Sequence, residues 1–157
     1  MTDELTHLDD AGNVRMVDVG EKAVTARRAV AEATVRMDGS TRDRLFTGDL
    51  PKGDAIATVR IAAIQGAKLT SSLVPLCHPL FVESLTVSVD PVEAGATITV
   101  TATVTAKTGV EMEAMTGAAI GAVALYDMIK GIDRSAEIES VRLLEKSGGR
   151  SGEWHRE

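Results

Sequence analysis

The sequence predicts an α+β sandwich, an antiparallel sheet with helices packed on one face, in the element order βαββαβ. Three observations predict it. Segments with a two-residue apolar period occur early, in the middle and late in the chain. The two middle segments are joined by "DPVEAG", a turn of hairpin length. Two long apolar, Ala-rich segments without that period lie on either side of the hairpin, where crossover helices belong.

Each element follows from its residues. Residues 1–14 are polar and aperiodic, which predicts a flexible N-terminal arm. From Ala29 to Met37 apolar and polar positions alternate, a half-buried first strand. "GSTRDRLFTGDLPKGD" is rich in turn formers and predicts a loop with one short helical turn around Arg44. "DAIATVRIAAIQGAKLTSSL" predicts the first long helix, with Asp54 near its N-terminus. That helix must end by "LVPLCHP", where Pro75 and Pro79 bracket a rigid extended segment. Leu85, Val87 and Val89 alternate with Ser and Thr, and Ile98, Val100, Ala102 and Val104 alternate with Thr, giving the hairpin. A second helix opens in "TGVEMEAMTGAA" and runs to about Gly131, and a less regular strand spans Ile138 to Leu144. The sum is one ferredoxin-like domain over residues 15–146, followed by a Gly-rich basic tail at 147–157.

The totals bound what such a domain does. At 157 residues with 44% apolar and 25% charged, the chain buries a real core of one domain. With 3% aromatic residues, Val, Ile, Leu, Ala and Met must build it. The net charge of −6 argues against a nucleic-acid partner, which needs a basic field, but a few local cations can hold a phosphorylated small molecule. A single cysteine, Cys77, excludes an internal disulfide and a Cys-rich metal site. The N-terminus lacks a secretory pattern, and the uncharged run Ala114–Tyr126 is too short for a membrane span. The expectation is a cytoplasmic protein with no membrane partner. The second helix is apolar all round, which points to burial in an oligomer.

Within that helix, "IGAVALYDMIKGI" sets Asp127 and Lys130 into an apolar run. Ile120, Val123 and Asp127 keep the spacing of a single stripe, so an acid and a base lie where a helix usually buries its surface. A surface ion pair would be worth a few tenths of a kcal/mol, about 0.3–0.5. A helix with so little other polar surface favours a functional pair in a partly desolvated pocket. Thr108 and Glu111 match a capping box, whereas Glu113 falls near the Asp127 face by helical angle. His78 and Cys77 adjoin in "PLCHP"; on an extended chain they point to opposite sides, against a nucleophilic dyad. Lys52 precedes a helix start, a place for an anion, though on that evidence alone a solvated loop lysine is the favoured reading. Lys146 and Arg150 make the Gly-rich end basic, and Lys22, Arg27 and Arg28 add charge near the first strand.

Taken in order, "MVDV", "KGD", "LVPLCHP", "KTGVEMEAMTG", "YDMIK" and "LLEKSGGRSG" resemble the cyclic pyranopterin monophosphate synthase family of molybdenum cofactor biosynthesis. The resemblance runs from about Leu5 to Gly152. It implies a ferredoxin-like subunit in a homohexamer, a trimer of dimers, with active sites at subunit interfaces. The implied reaction takes 3′,8-cyclo-7,8-dihydro-GTP to the cyclic pyranopterin monophosphate and expels diphosphate, with no cofactor and no protein-held metal. The upstream radical enzyme of the same pathway is the implied source of substrate. Asp127 and Lys130 match the family's acid/base pair, and Lys52 its essential lysine. Leu76, Cys77, His78, Met112 and Glu113, with Glu111 beside them, match substrate-contacting positions. Lys22, Arg27, Lys68 and Lys146 match residues that hold the triphosphate. Two departures stand out: Arg150 where lysine is common, and Leu69 where a basic residue is expected. Proton transfers suit an Asp and lysines, and developing phosphate charge suits fixed cations. The rival is a non-catalytic nucleotide-binding sensor oligomer, which needs the pocket but not Asp127 or Lys130. An RNA-binding domain would need stacking aromatics on the hairpin strands, which are absent.

Overall fold

The computed structural model describes residues 7–9 and 11–157, so part of the expected arm lies outside the described residues. The elements are β1 (Thr25–Arg36), α1 (Gly39–Thr47), α2 (Ala55–Lys68), α3 (Thr70–Leu73), β2 (Ser84–Val92), β3 (Gly95–Ala106), α4 (Glu111–Ile129), β4 (Glu137–Ser147) and β5 (Trp154–His155). One sheet holds the strands in the order β2-β3-β1-β4-β5, and every neighbouring pair is antiparallel. β1 lies in the middle and pairs with β3 along its whole length, from Thr25 opposite Ala106 to Arg36 opposite Gly95.

Helices α2 and α4 pack together and against the sheet. Small residues make that close approach possible. Ala29, Ala31, Ala33 and Ala102 of the sheet and Ala114, Ala118 and Ala122 of α4 are wholly buried. Between the helices, a Cβ on Gly66 would come within 2.6 Å of the Ile120 Cβ, and one on Gly117 within 3.0 Å of the Ala63 carbonyl oxygen. Gly121 meets Val59 and Ala63, while Gly117 meets Ala63 and Ala67, so the two helices run antiparallel. The start of α2 therefore lies beside the end of α4. By length and composition α4 would span a membrane, yet half of that stretch is buried inside this chain.

The structure departs from the expectations in four places. β1 begins at Thr25, four residues before the alternation becomes clean. The segment read as a loop with one turn contains the nine-residue α1. Tertiary contacts hold it: Leu45 and Thr41 are buried, Asp133 accepts a hydrogen bond from the Asp38 N–H at 2.8 Å, and Gly48 closes the helix at φ 76°. The first long helix stops at Lys68, and a separate turn, α3, follows. The Gly-rich tail, expected without regular structure, carries β5, whose Trp154 and His155 pair with Lys146 and Glu145.

Candidate active site

Two cavities adjoin at the start of α4. The smaller, about 430 Å³, is lined by Leu76, Cys77 and His78 from the Pro-bracketed segment and by Met112 and Glu113 from α4. His7, Val17 and Val19 also reach it. The larger, about 710 Å³, gathers five cations, Lys22, Arg27, Lys107, Lys146 and Arg150, with Glu21 as well as Glu111. Lys22, Thr108, Gly109 and Glu111 line both, so the two spaces meet along them.

Glu113 is 3% exposed, and its Oε2 has no hydrogen-bond partner among the described residues. Burial is the main influence on its carboxyl and raises its pKa; a hydrogen bond from its own backbone N–H opposes this, and the charge of Glu111 adds to the rise. A buried polar atom without a partner at a cavity wall suits a ligand that brings N–H donors. Burial also pushes the Cys77 thiol up, away from thiolate chemistry. Cys77 and His78 line the same cavity, although adjacent residues of an extended chain were expected to diverge. The turn at Pro75 and Leu76 just before them keeps this segment out of a regular strand.

In the larger cavity Arg27 is fixed by its own fold. Its Nε and Nη2 donate to the Ala106 and Lys107 carbonyls, each at 3.1 Å. Gly149 lies against its guanidinium, where a side chain would collide. Lys146 Nζ meets Glu111 Oε1 at 2.9 Å. The expected capping box is therefore not formed: Val110 is the N-cap, no side chain caps α4, and Glu111 reaches to β4 instead. Lys107 is a residue the sequence reading passed over; its place between the end of β3 and the start of α4 was the available signal. Lys68 sits exposed at the end of α2 and lines neither cavity.

A second cluster lies at the other end of α4. Asp127 Oδ1 meets Lys130 Nζ at 2.8 Å, and Oδ2 meets Lys52 Nζ at 2.8 Å. Lys52 also donates to the Asp127 carbonyl at 2.7 Å. The α2 N-terminus is capped by Asp54, which accepts from the Ala57 N–H, so Lys52 serves Asp127 and not a helix-end anion. Hydrogen bonds from Lys130 and then Lys52 lower the Asp127 pKa to about 2, and the bond to Asp127 raises that of Lys130. At neutral pH this pair is carboxylate and ammonium.

The stripe expected to be buried is open in the single chain. Val123 is 55% exposed and the Asp127 side chain 52%. The helical angle that set Glu113 beside Asp127 hides a difference: Glu113 is buried at the cavity it shares with the Pro-bracketed segment, and Asp127 is exposed. At a rise of ~1.5 Å per residue they stand about 21 Å apart along α4. One chain thus brings Leu76, Cys77, His78, Met112, Glu113, Glu111, Lys22, Arg27 and Lys146 to one end. It gathers Asp127, Lys130 and Lys52 at the other. Among the described residues no group of three or more His, Cys, Asp and Glu could hold a metal ion.

A model of the MoaC family matches residues 16–149. The chain is 49% identical over 157 residues to the cyclic pyranopterin monophosphate synthase of Chloroflexus aggregans, covering 99% of this chain and 95% of the relative. It is 48% identical over 151 residues to the protein of the same name in Novosphingobium aromaticivorans, covering 96% of each. It is 53% identical over 153 residues to cyclic pyranopterin monophosphate synthase 3 of Mycobacterium tuberculosis (strain ATCC 25618 / H37Rv), covering 97% of this chain and 86% of the relative.

Proposed function

The chain belongs to the MoaC family, and we propose that it works as the cyclic pyranopterin monophosphate synthase its relatives are named for, an enzyme of molybdenum cofactor biosynthesis. Its substrate is 3′,8-cyclo-7,8-dihydro-GTP, and its products are the cyclic pyranopterin monophosphate and diphosphate. The observation that carries this is the pair of adjoining cavities. One has apolar walls and the buried Glu113 carboxyl, suited to a flat ring with N–H edges. The other carries five cations, suited to a triphosphate, and the two are continuous as ring and phosphates are in one nucleotide.

Asp127, Lys130 and Lys52 supply the proton transfers. With Asp127 ionised and Lys130 charged, the lysine is the group with a proton to give, and the carboxylate orients it or receives a proton. The distance of about 21 Å between this cluster and Glu113 supports a site shared by two copies, one contributing the cavities and the other the cluster. The open apolar stripe along α4, with Met112 and Val123 exposed, supports a face covered by another chain. The assembly in this reading is a homohexamer of three dimers built from ferredoxin-like subunits, working in the cytoplasm and taking its substrate from an upstream radical enzyme. Lys68 then serves the phosphates of a neighbouring copy's site.

Incubation of the full chain with cyclised dihydro-GTP tests the assignment. Release of diphosphate together with a cyclic phosphate product is expected. Tight binding with neither product would support the sensor reading in its place.

A further inference from the structure

We propose that Glu111 acts as an internal competitor of phosphate: its carboxylate holds Lys146 when no phosphate does, and in returning there it helps expel diphosphate. The inference rests on the larger cavity being the polyphosphate end of the substrate site.

Five observations meet at this pair. Among the described residues, Lys146 is the one of the five cavity cations that a carboxylate pairs with. Arg27 and Lys107 spend their donors on neutral backbone carbonyls and keep their charge for a ligand. The Glu111–Lys146 pair has side chains 27% and 30% exposed, so water screens it less than it would a fully solvated pair. Gly109 lies so close to the Glu111 carboxylate that a Cβ there would overlap it. The resting position of the carboxylate thus depends on residue 109 having no side chain. Finally, Glu111 lines both cavities, so a carboxylate displaced from Lys146 has space on the ring side.

A polyphosphate entering the larger cavity brings several negative charges and outcompetes a single carboxylate for Lys146. After the reaction, diphosphate has lost its tether to the ring, and Glu111 competes with it on more equal footing. The carboxylate therefore costs affinity for the leaving group and speeds its departure. A purely structural ion pair would behave in the opposite way, since breaking it would loosen the cavity and weaken anion binding.

Calorimetric titration of the full chain with inorganic diphosphate alone separates the two. Glu111→Gln is expected to bind diphosphate roughly two- to fivefold more tightly than the wild type, the scale of one partly screened ion pair. Lys146→Gln is expected to bind more weakly, and adding Glu111→Gln to it should give little further change. Gly109→Ala displaces the carboxylate while keeping its charge, and tighter binding is expected there too. With cyclised dihydro-GTP, Glu111→Gln should release diphosphate more slowly than it forms it, seen as a burst followed by a slower steady state. Weaker or unchanged diphosphate binding in both Glu111→Gln and Gly109→Ala, or no binding by a folded wild type, overturns the proposal. Failure to convert the cyclised nucleotide while the binding pattern holds defeats the assigned reaction and leaves the competition standing.

Discussion

Glu113 keeps a carboxyl out of water at the wall of the smaller cavity, and this has a consequence for stability. Because its pKa is raised in the fold, mainly by burial, the neutral form suits the native state. Its contribution is complete below the ordinary glutamate pKa and is lost as pH rises through the folded value. Glu113→Gln is therefore expected to flatten the fall of Tm as pH rises above the ordinary glutamate range, measured by thermal unfolding at each pH. Asp133 has the reverse sign. It is buried, accepts from the Asp38 and Ser135 N–H groups and the Ser135 hydroxyl, and has a lowered pKa, with the Asp38 bond the largest cause. Asp133→Ala should cost about 1–3 kcal/mol at neutral pH in denaturant unfolding, with the difference shrinking as acid protonates the wild-type carboxyl. Asp127→Asn removes an exposed charge, so stability should change little. Turnover of cyclised dihydro-GTP should fall by at least about 10²-fold if this cluster moves protons.

Among the helices, the α2–α4 contact leaves little room. Gly66→Ala places a methyl against Ile120 and should destabilise by about 1–3 kcal/mol. Ile120→Ala in the same chain should recover part of that loss, and a double-mutant cycle by chemical denaturation reads the coupling. The strands of this layer were legible because alternation survives wherever one sheet face is buried, as at Ile98, Val100, Ala102 and Val104. α1 was not, because only Thr41 and Leu45 are buried in it and its hold comes from Asp133, far away in sequence. β5 escaped for a related reason: two residues have no period, and their pairing is set by β4. In the site, the quoted motifs located both clusters, but helical angle alone could not tell that Glu113 is covered and Asp127 open. Burial depends on what packs over the helix. Glu111 satisfied a local capping pattern and yet found its partner on a strand.

At the scale of the whole molecule, the proposal that two copies share one site, each giving one end of α4, makes a prediction about mixtures. Chains carrying Asp127→Asn lack one half, and chains carrying Lys146→Gln lack the other. Each alone should be nearly inactive, and their co-refolded mixture should regain measurable turnover because some sites then receive both intact halves. Mixtures no more active than their parents would place the whole reaction within one chain. The same helix also constrains how this protein can change its length. An insertion of one residue between Ala114 and Tyr126 would advance Asp127 by ~1.5 Å and swing it by about 100° around the axis. Substitutions along that stretch can be absorbed by repacking, but a single added or deleted residue cannot, because it uncouples the bearing of one end from that of the other. Tolerance to insertion should therefore collapse across α4 while persisting in the turn between β2 and β3.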